Sequence, residues 1–209
     1  MGLFLTVSAV KALDPTEIAQ LIEADFSARS IACRRLADGE RNESPKTDIV
    51  IFEPRQGWSV VLWPEYFGEC AHPFAKSLAG QDRVVSTVDV YDGDYWTHRA
   101  LRGSALLHDF CSAPDYWEGE PREWNTDPTE LAHTFGVEAA ELQPYLVVSG
   151  SSRAGRAHPD DEFDLENIWV FVDFWRRLGI VYPQEMDKGV AVQSRLTTPG
   201  FLEKLWRAI

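Results

Sequence analysis

Short apolar runs divided by polar turns dominate the first half of the chain, and they predict more strands than helices. Residues 3–10 form an apolar run typical of a buried strand. A helix start follows at Asp14-Pro15, and apolar residues then recur at helical spacing over residues 15–27. Residues 30–36 are compatible with a short second strand. The chain is therefore predicted to open with a strand and an amphipathic helix.

A β-hairpin and a second helix are predicted next. Residues 47–54 and 57–64 are apolar runs that end in proline, with a short polar turn between them, which is typical of an antiparallel hairpin. Residues 65–80 have a helical pattern, and His72-Pro73 is expected to interrupt it because proline cannot donate a helical hydrogen bond. The order so far is strand, helix, hairpin, helix.

Residues 83–110 add three strands, with tight turns at Asp92-Gly93 and Arg102-Gly103. The whole order is that of a split βαβ, or ferredoxin-like, pattern extended by a β-meander. We therefore expect an α+β fold over residues 1–110, with helices against one face of a mainly antiparallel sheet. No strand is predicted after residue 110.

The second half of the chain has helical signals. The tetrapeptide Asp-Pro-Thr-Glu recurs at residues 127–130 and starts a helix that Gly136 ends. Apolar residues cover most of the circumference of a longer predicted helix at 162–178, so that it is expected to be buried on more than one side. Residues 111–209 are therefore interpreted as an acidic and aromatic connector and a helical region, packed on the sheet domain as one unit.

Charge narrows the classes of partner. The 209 residues carry 33 acids and 20 bases, a net charge of -13, which opposes binding to nucleic acid or to an anionic membrane. Residues 130–146 have the pattern of a helix-turn-helix, but they contain no Lys or Arg that could contact DNA phosphates, so DNA binding is not predicted. The same charge favours a cationic protein as partner. The three cysteines have no Cys-x-x-Cys spacing, which favours a reducing cytoplasm. The chain has no apolar run of 18 residues, so no membrane-spanning segment is predicted.

Residues 109–128 are the candidate interaction segment. They hold six carboxylates, four large aromatic residues and three prolines. Because carboxylates are costly to bury, the segment is predicted to present its acids and rings at the surface. The prolines stiffen it, which reduces the conformational entropy lost when a partner binds. Asp160, Asp161 and Glu162 form a second acidic cluster that is expected to extend it. The predicted partner-binding residues are Asp115, Tyr116, Trp117, Glu118, Glu120, Glu123, Trp124, Asp160, Asp161 and Glu162.

Catalytic and metal sites are weaker alternatives. His98 and His108 lie on adjacent predicted strands; a two-residue loop between them places the imidazoles on opposite sides of the sheet, and a three-residue loop aligns them. Asp89, Asp92 and Asp94 lack the ligand spacing of a calcium loop and are interpreted as turn formers. The sequence contains no metal motif, phosphate-binding loop or nucleophile elbow, and no cofactor is predicted.

Two hypotheses follow for function. The first is an acidic binding protein that neutralises a cationic protein, for example an immunity protein that inhibits a bacterial toxin such as a nuclease. A nuclease must be basic to hold its substrate, so an inhibitor gains by carrying carboxylates to the same surface. The second is a small-molecule enzyme that uses Asp or Glu with His98 or His108 as acid-base or metal groups.

Overall fold

The computed structural model describes residues 2–37, 40, 46–80, 82–117, 123–148, 154–184 and 188–208. Within these ranges the chain forms eight strands and six α-helices. The strands are β1 (Leu5–Lys11), β2 (Cys33–Arg35), β3 (Asp48–Phe52), β4 (Trp58–Leu62), β5 (Val84–Tyr91), β6 (Tyr95–Arg102), β7 (Ala105–Cys111) and β8 (Val190–Leu196). The helices are α1 (Pro15–Ala28), α2 (Ala71–Ala79), α3 (Thr129–Phe135), α4 (Ala139–Leu142), α5 (Val170–Arg177) and α6 (Phe201–Ala208).

All eight strands belong to one sheet in the order β2-β8-β3-β4-β1-β5-β6-β7, and each described pairing is antiparallel. The central strands β3-β4-β1-β5, with α1 and α2 as their crossovers, have the order of a split βαβ unit. β6 and β7 extend it as a meander. The predicted α+β fold with a mainly antiparallel sheet is therefore confirmed.

One strand comes from the C-terminal part of the chain. β8 lies between β2 and β3, where Arg195 pairs with both Arg34 and Asp48 in register. The Asp48 carboxylate, which is buried, accepts hydrogen bonds from Arg195 at 2.6 Å and from Gln193 at 2.8 Å. The prediction that no strand follows residue 110 is therefore wrong. These polar contacts fasten the end of the chain to its first half.

Helices cover both faces of the sheet. Ile18, Ile22 and Phe26 of α1 and the apolar side of α2 pack on one face, which we call the α1–α2 face. Phe174 and Trp175 of α5 pack on the opposite face, the α5 face, together with apolar residues of α3 and α4. Helices were predicted on one face of the first 110 residues, and the C-terminal helices supply the other layer.

The helix boundaries follow local chemistry. The carboxylate of Asp14 accepts a hydrogen bond from the backbone N–H of Thr16 at 2.7 Å, which makes Asp14 the predicted N-cap of α1. Pro73 lies in the first turn of α2, where its missing N–H costs nothing, so the predicted interruption of that helix is wrong. None of the helices within the described ranges has the length and the apolar composition needed to cross a bilayer.

The longest predicted helix is shorter than expected. The α-helical part of residues 162–178 begins only at Val170, and turns precede it. The Asp173 carboxylate explains this, because it accepts hydrogen bonds from the backbone N–H groups of Glu162 and Phe163 at 2.9 and 2.8 Å. A helix through these residues would not bring those N–H groups to Asp173. The end of α5 agrees with the sequence, since Gly179 follows it in a left-handed conformation.

Candidate interaction surface

The antiparallel sheet gathers aromatic residues from distant parts of the chain at one of its ends. Leu5 at the start of β1 pairs with Val90 near the end of β5, and Tyr91 pairs with Tyr95 at the start of β6. β7 runs back to the same end, because its last residue Cys111 pairs with Thr97. The segments that leave these strands therefore meet, and we call this part of the molecule the aromatic end.

Five rings form a continuous row there. Phe4 lies 4.4 Å from Tyr66 and 6.1 Å from Tyr91, measured between ring centroids. Tyr91 lies 6.4 Å from Trp117, which meets Trp124 edge to face at 5.3 Å. Tyr66 is exposed and the other four are half-buried. Each ring of the row therefore packs against the protein on one side and is accessible to solvent on the other, as is typical of aromatic residues at interfaces.

Tyr116 is the most exposed ring of this region. Residues Pro114–Tyr116 form a short 3₁₀ turn directly after β7, with Pro114 at its first position. The turn projects Asp115 and Tyr116 outward while the following Trp117 packs against Tyr91. The Tyr116 side chain is 68% exposed, which is unusual for a residue of this size. The sequence therefore located an exposed ring beside an exposed acid.

Exposed acids flank the row, and the described residues that build it include no Lys or Arg. Asp92 and Asp94 are exposed in the turn between β5 and β6, and Asp115 and Glu123 are exposed beside the two tryptophans. The described stretches that build this end, residues 2–10, 56–75, 84–98, 103–117 and 123–128, contain no Lys or Arg. Exposed acids of like charge close together produce a negative local potential that attracts a cationic surface.

A backbone hydrogen bond ties the chain after Trp124 to strand β7. The N–H of Asn125 donates to the carbonyl of Asp109 on β7 at 2.6 Å, next to Trp124. Asp109 itself points its carboxylate to Arg99 at 2.9 Å, so it is neutralised inside the sheet. Glu118 and Glu120, two of the predicted partner-binding residues, lie outside the described residues, as does Arg122.

The second predicted cluster has a different environment. Asp161 is 2% exposed, and its carboxylate accepts hydrogen bonds from Tyr145, Arg176 and Arg177 at 2.7 to 3.0 Å. Asp160 is exposed and forms an ion pair with Arg177, whereas Glu162 is exposed on a turn. These acids belong to the layer on the α5 face and are partly neutralised by the chain. Asp161 is too buried to contact a partner, so we remove it from the predicted surface.

His98 and His108 are brought together by a feature the sequence did not show. The loop between β6 and β7 has two residues, Gly103 and Ser104, and a β-bulge at Leu107 then shifts the register, so that Ala100 faces His108. The bulge puts both imidazoles on the α5 face, with their Nδ1 atoms 2.8 Å apart. The expectation that a two-residue loop separates them to opposite sides is therefore wrong.

The histidine pair is part of a buried hydrogen-bond relay. The indole N–H of Trp175 donates to Ser86 Oγ at 3.0 Å, and Ser86 Oγ lies 2.9 Å from His98 Nε2. Ser86, His98, His108 and Trp175 are all 0% exposed. A serine, a base and an orienting group in this order are the parts of a nucleophilic site. Complete burial under α5 leaves no room for a substrate, and the relay is structural in this conformation.

Burial also keeps both imidazoles neutral. Loss of solvent lowers the pKa of His108 to about 4, against which the negative Asp127 acts only weakly. Loss of solvent and the neighbouring His108 hold the pKa of His98 well below its ordinary value. A neutral pair can share only one hydrogen between the two Nδ1 atoms, so one ring donates and the other accepts.

The remaining polar candidates do not form a metal site. Asp89 is buried on the α1–α2 face, 3.7 Å from His72 Nε2, whereas Asp92 and Asp94 lie in the exposed turn. Their separation leaves no shared ligand set. Throughout the portion of the chain that is described, no group of three His, Cys, Asp or Glu side chains is arranged to hold a metal ion.

The fold and the surface together define a one-sheet α+β protein with an acidic aromatic end. No protein-family model matches the chain, and comparisons with curated proteins and with solved structures find no match.

Proposed function

We propose that this protein binds a basic protein through its acidic aromatic end, and that binding neutralises the partner. The proposed partner is a bacterial toxin such as a nuclease, and this chain would then be its immunity protein. The observation that carries the proposal is the partly exposed row of rings flanked by four exposed acids, in described stretches that contain no Lys or Arg.

The chemistry of the row suits a cationic surface. Guanidinium and ammonium groups are attracted to aromatic faces, and each such contact is strengthened by a carboxylate at its side. Half-buried rings also lose little conformational freedom on binding, because their packing already fixes them. Tyr116 and the edge of Trp117 supply the apolar anchor, while Asp115 and Glu123 supply charge.

Charge reversal at this end is expected to abolish binding without unfolding the protein. Asp115→Lys combined with Glu123→Lys changes two exposed side chains, so the thermal midpoint should stay within a few degrees of the wild-type value. The partner is captured from the source cells on the immobilised chain, identified, purified and titrated by calorimetry. We expect the double variant to bind it about a hundredfold more weakly.

The matched control has the same charge change at another place. Glu138 and Glu166 are exposed and lie in the layer on the α5 face, so the double variant Glu138→Lys, Glu166→Lys should bind within a few-fold of wild type. Tyr116→Ala tests the ring separately and should weaken binding by roughly tenfold or more. A partner that is acidic, or one whose affinity is the same for both double variants, would contradict the proposal.

A further inference from the structure

We propose that the His98–His108 pair is a proton-sensitive latch, which holds α5 against the sheet near neutral pH and releases it in mild acid. The pair lies where three strands meet one helix. The relay runs from His108 on β7 through His98 on β6 and Ser86 on β5 to Trp175 on α5. The His98 ring also meets Phe174 of α5 edge to face at 4.9 Å.

The hydrogens of the relay can be placed in only one way that satisfies Ser86. Trp175 donates to Ser86, Ser86 donates to His98 Nε2, and the N–H on His98 Nδ1 donates to His108 Nδ1. His108 then carries its hydrogen on Nε2, a buried atom without a hydrogen-bond partner among the described residues. The neutral relay is thus satisfied everywhere except at this outer nitrogen.

An added proton has no stable place in the relay. Protonation of His98 puts a hydrogen on its Nε2, which must then donate to Ser86. Protonation of His108 puts a hydrogen on its Nδ1, so the Nδ1 contact survives only if His98 moves its own hydrogen to Nε2 and again donates to Ser86. Ser86 would then receive two donors and its own hydrogen would lose its acceptor. The positive charge would also lie in an apolar layer between Phe174 and the sheet.

The surrounding charges do not compensate for that proton. Asp127 acts on His108 from the solvent side, but it is exposed and its carboxylate already accepts hydrogen bonds from Thr129. On α5, Asp173 and the two arginines are joined to one another or to Asp160 and Asp161. The other charged groups and histidines of β5, β6, β7 and α3 point to the opposite face or to solvent; they are Asp89, Arg99, Arg102, Asp109, Glu130 and His133.

The direction of the pH effect follows from the two states. A histidine in the released state titrates near its ordinary pKa of about 6.5, whereas in the closed state the pKa of His108 is about 4. Protons therefore bind the released state first as the pH falls through this window. At about pH 5, one such histidine favours release by roughly 20-fold relative to neutral pH, and His98 adds to this in the same direction.

Hydrogen exchange with mass spectrometry tests the latch in the wild-type protein. After correction for intrinsic exchange rates, backbone amides of α5 and β7 should lose protection by about 20-fold or more between roughly pH 7 and pH 5. The amides of α1, which packs on the other face, should lose much less. An unchanged α5, or an equal loss in α1 and α5, would overturn the proposal.

Substitutions then connect the effect to the pair. In the double variant His98→Gln, His108→Gln the pH dependence of α5 protection should disappear, because neither side chain takes up a proton. The matched control is His133→Gln, which removes an exposed histidine of α3 and should retain the wild-type dependence. A double variant that still loses α5 protection in acid would also overturn the latch. If that variant does not fold, the comparison of α5 with α1 in the wild type decides.

Discussion

Replacing Trp175 with alanine is expected to destabilise the protein by about 4 kcal/mol, the usual range for removing a fully buried tryptophan. Trp175 is 0% exposed, and its ring packs against Phe171 and Tyr182 between α5 and the sheet. The substitution removes this contact area and leaves a cavity that the rigid sheet cannot fill. Denaturant unfolding followed by far-UV circular dichroism measures the loss.

Trp175→Phe separates the hydrogen bond from the packing. Phenylalanine keeps most of the apolar contact but cannot donate to Ser86, so we expect a loss of about 1 to 2 kcal/mol. The difference between the two variants is the contribution of the ring itself. If Trp175→Ala costs less than about 1.5 kcal/mol, α5 does not hold the layer on its face of the sheet.

Asp161→Asn is expected to cost about 3 kcal/mol, although it changes only one atom of the side chain. The carboxylate is the common acceptor for Tyr145, Arg176 and Arg177, and a second oxygen accepts from the backbone N–H of His158 at 2.8 Å. An amide cannot accept all of these bonds, and it leaves the two arginines facing a neutral group. The variant is measured by chemical denaturation at neutral pH.

The neighbouring acid is the matched control. Asp160 contacts the same Arg177 but is exposed, so Asp160→Asn should change the unfolding midpoint little. Burial alone would raise the pKa of Asp161, yet hydrogen bonds from Tyr145 and Arg177 lower it below its ordinary value. The ionised Asp161 carboxylate therefore stabilises the fold above about pH 4, and this stabilisation is lost as the pH falls further. Equal effects of the two substitutions would contradict the assignment.

The strands and helices with local signals could be predicted from the sequence. The N-cap at Asp14, the proline-ended hairpin and the turn at Asp92-Gly93 each specify their structure within a few residues. β8 could not be predicted in this way, because Gln193, Ser194 and Arg195 interrupt its apolar pattern. Gln193 and Arg195 point to the Asp48 carboxylate, a partner that is distant in sequence. A pattern of hydrophobic residues does not show such a partner.

The candidate surface was predicted in part. Asp115, Tyr116 and Glu123 are exposed, and the composition of residues 109–128 indicated a surface segment. Phe4, Tyr66 and Tyr91 were missed, because only the strand order brings them next to Trp117. The histidine pair was misplaced for a related reason. A β-bulge has no reliable sequence signal, and one extra residue moves a side chain to the other face of a sheet.

The position of β8 has a consequence for biosynthesis. Asp48 and Arg195 are separated by 147 positions, so a ribosome has made most of the chain before this contact can form. Until then the nascent β3 has one open edge, and such an edge is a template for pairing with other chains. A message truncated before residue 190 would therefore yield a product prone to aggregation, even though every residue of the acidic aromatic end had been translated.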